Sequence, residues 1–541
     1  MTGHRWYPRR LTVIGAALAA ATLSLFPTVA GATSVENAGN YVTINGSGSS
    51  WSEVALDQWS QDVQSQGITV NFNPDGSAQG RQDFIQGQDD FAASDPPFRD
   101  GHDRLAGTGS EIPFAYGYSY IPDTAGGTAF MYHLDVGGKQ ITNMRLSPKT
   151  IMEIFTGQIT NWDDKQITKD YGAQLPSIPI TPVVRSDGSG ATYFLTRWMS
   201  HLFPSQWDAF CSKVTHGRVS SGCGQTEFYP TSGWGNVKAE NGSNNVATYI
   251  TSSYANGAIG YDEYAYALNS KYPVVKVLNP AGYYVLPSAS NVAVALTKAQ
   301  IVEDPHSVNF LQQNLDSVYT FTDKRSYPLS SYSYLIVPKL GTKQPPTFSD
   351  AKGKTLSTFI DFFLCGGQRQ VAPLGYSPLP KNLVQGGLLQ SSKIPGHIAG
   401  PNPSTLAGCA NPTINSSGQL TILLNAPYPS PCDKLGAPLN CTVVNGKAKS
   451  TGGGTGGSTP NPSSSATSST GTGPVGTSTT GPATATGGSA GSVAGQVVNV
   501  ASDSSGRAPL GVMTAIAIII AIVAPPALGI WLRRRKLRVS R

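Results

Sequence analysis

Short apolar runs alternate with helical patterns of apolar and polar positions through residues 38–445. The run Gly67–Phe72 precedes a helical pattern at Gln79–Gln86, and the run Ile180–Val184 precedes another at Gly190–Leu202. Apolar runs of strand length that lead into helices are typical of α/β folds. The pattern therefore predicts an α/β body whose strands end at the N-termini of helices.

The two ends of the chain differ from this body. Residues 1–32 combine a basic start, an apolar run and an Ala-x-Ala site, which predicts a signal peptide; a first transmembrane anchor is the alternative. Residues 510–532 carry no charge and are long enough to span a bilayer, with a buried core helix as the alternative. The basic tail 533–541 predicts a cytoplasmic C-terminus. We therefore expect a single-pass cell-membrane protein with its body on the extracellular side.

Residues 446–507 consist almost entirely of Gly, Ser, Thr, Pro and Ala. Such a segment cannot bury enough apolar surface to fold, so we expect a disordered stalk. Residues 395–445 are rich in Pro and Cys and are expected to form an irregular appendix stapled by disulfides.

All six cysteines lie on the predicted exported side, where disulfides form and persist. Their spacing favours the pairs Cys211–Cys223 and Cys432–Cys441, which leaves Cys365 with Cys409. Metal binding is the rival interpretation. It is disfavoured because the sequence has no C-x-x-C motif and the His residues do not cluster with the Cys residues.

The formal net charge of +6 suggests a nucleic-acid partner, but its distribution argues against one. Residues 1–32 and 533–541 contain no acid and together carry nine Arg and Lys, which leaves a formal charge of −3 for residues 33–532. The body therefore lacks the basic surface that DNA or RNA binding needs.

Three turns rich in Gly and Ser each precede a helical pattern: residues 45–51, 75–80 and 185–192. The first turn of a helix has unpaired N–H groups and a positive dipole end. Gly lets an anion approach the backbone, and Ser adds a hydroxyl donor. One such turn is usually an ordinary N-cap. Three that converge would form an oxyanion site.

From Ile44 to about Asn382 the chain resembles the phosphate-binding protein of the bacterial phosphate ABC importer, a type II periplasmic binding protein. The segments that carry the resemblance are NGSGSSW (45–51), FIQGQDDFAASDPPF (84–98), MEIFTGQITNWDD (152–164), RSDGSGATY (185–193), NGAIGYDEYAYAL (256–268) and LGYSPLPKNLV (374–384). The resemblance implies two α/β lobes joined by a two-stranded hinge, with inorganic phosphate in the cleft and an ABC permease as partner. Lobe 1 would comprise residues 38–120 and 285–394, and lobe 2 residues 121–284.

The resemblance also assigns ligand contacts. The expected phosphate ligands and their supports are Ser50, Trp51, Ser77, Asp95, Arg185, Asp187, Ser189, Gly190 and Ala191, with Thr192 as a further candidate. Trp51, Gly190 and Ala191 would contribute backbone N–H groups. Arg185 would pair with the ligand and be oriented by Asp187. Arg suits this role because its planar fork matches phosphate oxygens.

Asp95 would accept a hydrogen bond from a protonated phosphate oxygen. An acceptor-only carboxylate favours an oxyanion that still carries a proton, as phosphate does at neutral pH and sulfate does not. An ordinary N-cap or a surface acid is the alternative for Asp95. The family usually has Thr at the position of Ala191, so one hydroxyl donor is missing, and Thr192 is the candidate to replace it. The family's usual Phe is Trp51 in this chain.

Other function classes fit less well. A hydrolase is disfavoured because Ser189 does not stand in a G-x-S-x-G spacing, and no H-E-x-x-H or P-loop motif indicates a metal or nucleotide cofactor. A receptor that scavenges or senses phosphate at the surface, and an adhesion or scaffold protein that reuses the fold, remain alternatives because fold does not fix function.

Overall fold

The computed structural model describes residues 41–451, apart from 107, 108, 113, 220 and 221. The predicted signal peptide, most of the predicted stalk, the predicted transmembrane helix at 510–532 and the basic tail lie outside the described residues. Within the described residues, no helix has the length and apolar character needed to cross a membrane.

Strands and helices are interspersed along the described part of the chain. The strands are β1 (Ile44–Gly48), β2 (Val70–Asn73), β3 (Phe91–Ser94), β4 (Tyr118–Tyr132), β5 (Asp135–Val136), β6 (Lys139–Gln140), β7 (Arg145–Leu146), β8 (Thr181–Arg185), β9 (Lys238–Glu240), β10 (Ala258–Glu263), β11 (Lys276–Leu278), β12 (Tyr284–Val285), β13 (Gln300–Ile301), β14 (Gln313–Asn314), β15 (Ser330–Pro338), β16 (Cys441–Val444) and β17 (Lys447–Ser450).

The helices are also numbered in chain order. They are α1 (Glu53–Val63), α2 (Ser77–Gln86), α3 (Pro148–Phe155), α4 (Lys165–Tyr171), α5 (Gly190–Leu202), α6 (Pro204–Val214), α7 (Gly242–Thr251), α8 (Tyr264–Ser270), α9 (Ala289–Leu296), α10 (Asp316–Tyr319), α11 (Asp350–Leu364), α12 (Gln368–Leu374), α13 (Lys381–Ser391) and α14 (Thr421–Leu424). The prediction of an α/β body is confirmed.

The main sheet has the order β2-β1-β3-β15-β4-β10-β8-β9. Its strands form two parallel sets, β1 with β2 and β3, and β8 with β9 and β10. We call these sets the β1 side and the β8 side. Parallel strands need crossover connections, and here β1, β2 and β8 lead into α1, α2 and α5. The N-termini of α1, α2 and α5 therefore lie near the C-terminal ends of β1, β2 and β8.

The long strand β4 links the two sides. Its residues 118–127 pair antiparallel with β15, whereas residues 128–132 pair antiparallel with β10. The β1 side reaches β4 through β15, which pairs with β3. The connection between the two sides thus contains β4 and β15. The lobe boundaries at residues 120 and 284 stay predictions.

The cores of both sides are built from large, fully buried side chains. On the β1 side, Trp59 of α1 stacks on Phe363 of α11 with ring centroids 4.8 Å apart. On the β8 side, Trp198 of α5 lies 6.4 Å from Phe130 of β4 between ring centroids. Burial of such aromatic rings is the main source of stability for the two cores.

The three predicted disulfides are present: Cys211–Cys223, Cys365–Cys409 and Cys432–Cys441. The appendix, residues 395–445, is tied through Cys409 to the C-terminal end of α11. It also contacts the small sheet β12-β11-β7, because Lys276 Nζ lies 2.5 Å from Asp433 Oδ1.

The folded part extends beyond the predicted start of the stalk at residue 446. Residues 447–450 form β17, which pairs with β16. The link is the dipeptide Asn445-Gly446, in which both residues have positive φ (51° and 71°). Asn-Gly suits this two-residue hairpin turn because both residues tolerate left-handed backbone. The predicted boundary is therefore corrected, since composition alone hides a turn of this kind.

Candidate functional site

The three Gly/Ser-rich turns meet at one place. Gly76 N–H donates to Gly48 O at 2.7 Å, which joins the first two turns. Ala78 N–H, in the first turn of α2, donates to Gly188 O at 3.0 Å, which joins the second turn to the third. The N-termini of α1, α2 and α5 are thus brought together from both sides of the sheet. First-turn N–H groups lack partners within their own helix, so this junction concentrates donors and positive dipole ends.

Asp95 lies at the centre of this junction, directly after β3. Its Oδ2 accepts hydrogen bonds from Ser49 Oγ at 2.7 Å and from Ser77 Oγ at 3.2 Å. Its Oδ1 accepts one from Ser333 Oγ at 2.6 Å. Burial raises the pKa of Asp95, and the three hydroxyl donors oppose that rise. The alternative of a surface acid is excluded, because Asp95 is 1% exposed.

Gly190 is required by the position of this carboxylate. A Cβ atom at residue 190 would lie 1.7 Å from Asp95 Oδ2, a distance that no side chain can tolerate. The first residue of α5 therefore packs its Cα directly against the carboxylate, across the junction of the two sides.

Arg185, the last residue of β8, is the buried cation of the site and is 2% exposed. Its Nε donates to Asp187 Oδ1 at 2.8 Å and its Nη2 donates to Asp187 Oδ2. That Asp187 orients Arg185 toward a ligand stays a prediction. Nη2 also donates to Ser50 Oγ at 3.0 Å, and Nη1 donates to Ser243 Oγ at 3.1 Å. Ser50 and Arg185 thus meet although Ser50 belongs to the β1 side and Arg185 to the β8 side.

Some hydrogen-bond donors of the third turn, residues 185–192, already have partners within the protein. Ser189 caps α5 by accepting from Thr192 N–H, and its own N–H donates to Glu227 O at 2.9 Å. Thr192 Oγ1 lies 2.7 Å from the Tyr261 hydroxyl oxygen. The hydroxyl of Thr192 is therefore engaged with Tyr261, which weakens the case that it replaces the hydroxyl missing at the buried Ala191.

Trp51 precedes α1 and is 1% exposed. Its N–H donates to Ser49 Oγ at 3.1 Å, and its C=O accepts from the Tyr376 hydroxyl at 2.6 Å. Tyr376 also packs edge-on against the indole ring, with centroids 5.6 Å apart. The indole thus anchors the first turn in the core.

The structure adds residues that the sequence analysis missed. Ser49 and Asp262 lie inside segments that carry the resemblance, so those segments were the available signal. Asp262 Oδ2 is 3.8 Å from Arg185 Nη1, and burial raises the pKa of Asp262 to about 6. Ser243 and Ser333 lie outside those segments and no pattern in the sequence marks them.

A buried ion-pair network lies beside the second and third turns. Arg81 of α2 and Arg99 each bind both Glu111 and Glu227, at N–O distances between 2.6 and 3.0 Å. Glu227 therefore holds α2 through its carboxylate and Ser189 through its backbone oxygen. A groove of about 770 Å³ borders the network and the third turn, with Asp75, Arg99, Asp187 and Gly188 in its lining.

The arrangement suits a small, multiply accepting anion better than a cation. It supplies helix N-termini, hydroxyl groups and one guanidinium, beside the buried carboxylate of Asp95. Within the described part of the chain, no group of three His, Cys, Asp or Glu side chains is placed to hold a metal ion.

Comparison with known proteins gives consistent matches. The family model for the PBP superfamily domain matches residues 30–366. The chain is 30% identical over 348 residues to the phosphate-binding protein PstS of Pasteurella multocida, covering 63% of this chain and 88% of that protein. It is 27% identical over 358 residues to the phosphate-binding protein PstS of Methanocaldococcus jannaschii, covering 64% and 85%. A phosphate-binding protein structure from Stenotrophomonas maltophilia aligns with a TM-score of 0.48 and 16% identity, over 68% of this chain and 99% of that chain.

Proposed function

The chain belongs to the PBP superfamily and shares its α/β type II periplasmic-binding-protein fold, and from this premise we propose that it is the phosphate-binding component of a phosphate ABC importer. Its relatives from Pasteurella multocida and Methanocaldococcus jannaschii carry the name phosphate-binding protein. Proteins of this kind bind a solute and are not enzymes. The chain is a solute-binding protein in the same sense.

One observation carries the proposal: three helix N-termini meet beside the buried Asp95 carboxylate and the buried Arg185 guanidinium. Arg185 donates to Ser50 at this point, and the hydroxyls of Ser49 and Ser77 donate to Asp95. Dipole ends and hydroxyls can bind an oxyanion without long-range attraction, which agrees with the formal charge of −3 on residues 33–532.

Asp95 supplies the selectivity in this proposal. Phosphate at neutral pH carries a proton that it can donate to a carboxylate, whereas sulfate carries none and would face an unpaired negative charge. Ala191 removes one hydroxyl relative to the family's usual Thr. The ligand contacts at α5 then depend on the backbone N–H groups of Gly190 and Ala191 and on the hydroxyl of Ser189.

Calorimetric titration of the purified full-length chain with phosphate and with sulfate tests this function. We expect saturable binding of phosphate and much weaker binding of sulfate at the same ionic strength, because Asp95 repels an unprotonated anion. The variant Asp95→Asn should narrow this gap, mainly by admitting sulfate. If phosphate produced no binding heat and no thermal stabilisation, the proposed function would be wrong.

We also infer that the protein is held at the extracellular face of the cell membrane by residues 510–532. The uncharged stretch and the basic tail behind it support this placement, and the stalk at 451–507 would separate body from membrane. Protease treatment of intact cells should release the body while a C-terminal tag stays in the membrane. A soluble product with an intact C-terminus would contradict the anchor.

An ABC permease is the partner that this role implies, and uptake measurements distinguish it from a receptor that only scavenges or senses. Cells that lack the chain should take up radiolabelled phosphate more slowly at low concentration, and the wild-type chain should restore the rate. An unchanged uptake rate, together with retained phosphate binding in vitro, would favour the receptor.

A further inference from the structure

Ser333 contacts Asp95 from a part of the chain that the resemblance does not mark. Tyr334 of β15 pairs antiparallel with Ser94 of β3, so Ser333 lies directly across from Asp95. Cross-strand neighbours of this kind point to the same face of a sheet. The Ser333 hydroxyl donates to Asp95 Oδ1 at 2.6 Å, the shortest of the three hydroxyl contacts on this carboxylate.

The hydrogen bonds around Asp95 favour its ionised form. An ionised carboxylate only accepts, with about four lone-pair positions on its two oxygens. Ser49 and Ser77 donate to Oδ2, and Ser333 donates to Oδ1. One position therefore remains on Oδ1, the oxygen that Ser333 holds. The hydrogen bond that Ser333 donates to this oxygen stabilises the ionised carboxylate and so disfavours a proton on Asp95.

Because of the surroundings of Asp95, its ionised form needs the hydrogen bond that the Ser333 hydroxyl donates. The carboxylate is fully buried, and burial raises its pKa. Of the charged groups around it, Arg185 of β8 lowers the pKa, whereas Asp123 of β4 and Glu263 of β10 are acids that interact with Asp95 through charge repulsion. Gly190 of α5 contributes no side chain. Among the groups that favour the ionised form, the Ser333 hydroxyl has the largest effect.

We propose that Ser333 is a specificity-determining residue, because its hydroxyl keeps Asp95 as an ionised acceptor and thereby requires the ligand to supply the shared proton. The proposal rests on the proposed function and deepens it. Without this hydroxyl, Asp95 binds a proton more readily and can itself donate to the ligand. A protonated Asp95 no longer repels sulfate, so selectivity becomes dependent on pH.

The test compares Ser333→Ala with the wild-type full-length chain by calorimetry, using inorganic phosphate and sulfate between about pH 5 and pH 8. We expect the ratio of sulfate affinity to phosphate affinity to rise roughly tenfold in the variant, since loss of one hydrogen bond to a charged group changes an equilibrium by about that factor. The rise should be largest at low pH. Comparing the two proteins at each pH cancels the titration of phosphate itself.

Ser331→Ala is the matched control. Ser331 lies two residues earlier on β15, is 1% exposed, and its hydroxyl has no hydrogen-bond partner among the described residues. Its removal deletes the same atom from the same strand without touching Asp95, so the affinity ratio should stay at the wild-type value. Ser333→Thr keeps the hydroxyl and should restore the wild-type ratio.

The outcomes separate this inference from the function on which it rests. If wild-type chain does not bind phosphate, both are wrong. If wild-type chain binds phosphate, and Ser333→Ala keeps the wild-type ratio and pH profile, then only the role of Ser333 is refuted. Should Ser333→Ala fail to fold, Ser333→Cys provides a weaker donor of similar size, and an unchanged ratio in that variant would equally overturn the proposal.

Discussion

Arg185 connects residues from both sides of the sheet, and its contacts are of two kinds. Asp187 binds two of its nitrogens and fixes the plane of the guanidinium, while Ser50 and Ser243 bind the outer nitrogens. A buried guanidinium that is fixed in this way can present its remaining donor capacity to an anion without reorganising.

We predict that Arg185→Ala weakens phosphate binding by about 2–4 kcal/mol, because a charge-assisted contact is lost and the buried anion is left undercompensated. Arg185→Lys should recover only part of the loss, since an ammonium group cannot form the fork with Asp187. Calorimetry on both variants checks the prediction.

Arg197→Ala serves as the control for this prediction. Arg197 lies on α5 and binds the half-exposed Asp316 at 3.0 Å, away from the three turns. Equal losses of affinity in the Arg185 and Arg197 variants would mean that the effect is general and that the site lies elsewhere.

At the residue scale, the sequence marked candidate residues that stand in short Gly/Ser-rich segments and missed residues that reach the site from distant parts of the chain. Ser50, Ser77 and Ser189 stand in Gly/Ser-rich turns before helices, so local chemistry marks them. Ser333 is separated from Asp95 by 238 positions, and only the pairing of β15 with β3 brings them together. Such pairings depend on sheet register, which a single sequence does not reveal.

At the scale of elements, the predicted helix 190–202 has the observed bounds, because Ser189 provides a regular N-cap. The predicted strand 67–72 is observed at 70–73, since Gly67 adopts left-handed backbone and ends the preceding turn. The predicted helix 79–86 begins two residues earlier, at Ser77, since Gly76 with its φ of 103° takes the capping position. The differences thus arise where glycine conformation sets a boundary.

A pH-dependent stability is predicted for α11, in which burial raises the pKa of Asp361 from its ordinary value of 3.8 to about 6. Its carboxylate accepts from Ser391 Oγ at 2.8 Å, and its side chain is 14% exposed. Because the folded state holds the proton more tightly than the unfolded state, Asp361 favours folding below about pH 4. This contribution is lost as the pH rises through about 6.

Asp361→Asn should therefore be more stable than wild-type protein by up to about 3 kcal/mol at pH 8, since each unit of pKa shift corresponds to about 1.4 kcal/mol. The difference should disappear near pH 4. Urea unfolding at both pH values measures it. Asp304→Asn, at an exposed position, is the control and should show no such trend. A gain that is equal at both pH values would contradict the explanation.

At the scale of the whole molecule, the two sides of the sheet touch directly at Gly188 and Ala78. A Cβ atom on Gly188 would lie 2.3 Å from Ala78 Cβ and 2.8 Å from the ring of Phe228. The hydrogen bond from Ala78 N–H to Gly188 O needs this approach. The absence of a side chain at residue 188 therefore permits the second and third turns to meet.

We predict that Gly188→Ala lowers phosphate affinity at least tenfold by keeping these turns apart, although every ligand-contacting side chain is retained. In small-angle scattering with phosphate present, the Gly188→Ala variant should have a larger radius of gyration than the wild-type protein. Adding Ala78→Gly removes one of the colliding methyl groups and should restore part of the affinity.

Gly235→Ala is the control for the added methyl group, because a Cβ atom there would meet nothing within 4 Å. Wild-type affinity in Gly188→Ala would show that this contact is not needed for binding.

The network of Arg81, Arg99, Glu111 and Glu227 has a consequence for how affinity can be adjusted. These residues join α2 to the segment that holds Ser189, so they favour the arrangement in which the turns meet. When only part of a population is competent to bind, the apparent dissociation constant is the intrinsic constant divided by the competent fraction. Substitutions in this network would then scale the affinity for every oxyanion by one factor, whereas substitutions at Asp95 would change the ratio between the affinities for different oxyanions. The proposed site would therefore allow the affinity and the selectivity to be adjusted independently, by residues in different places.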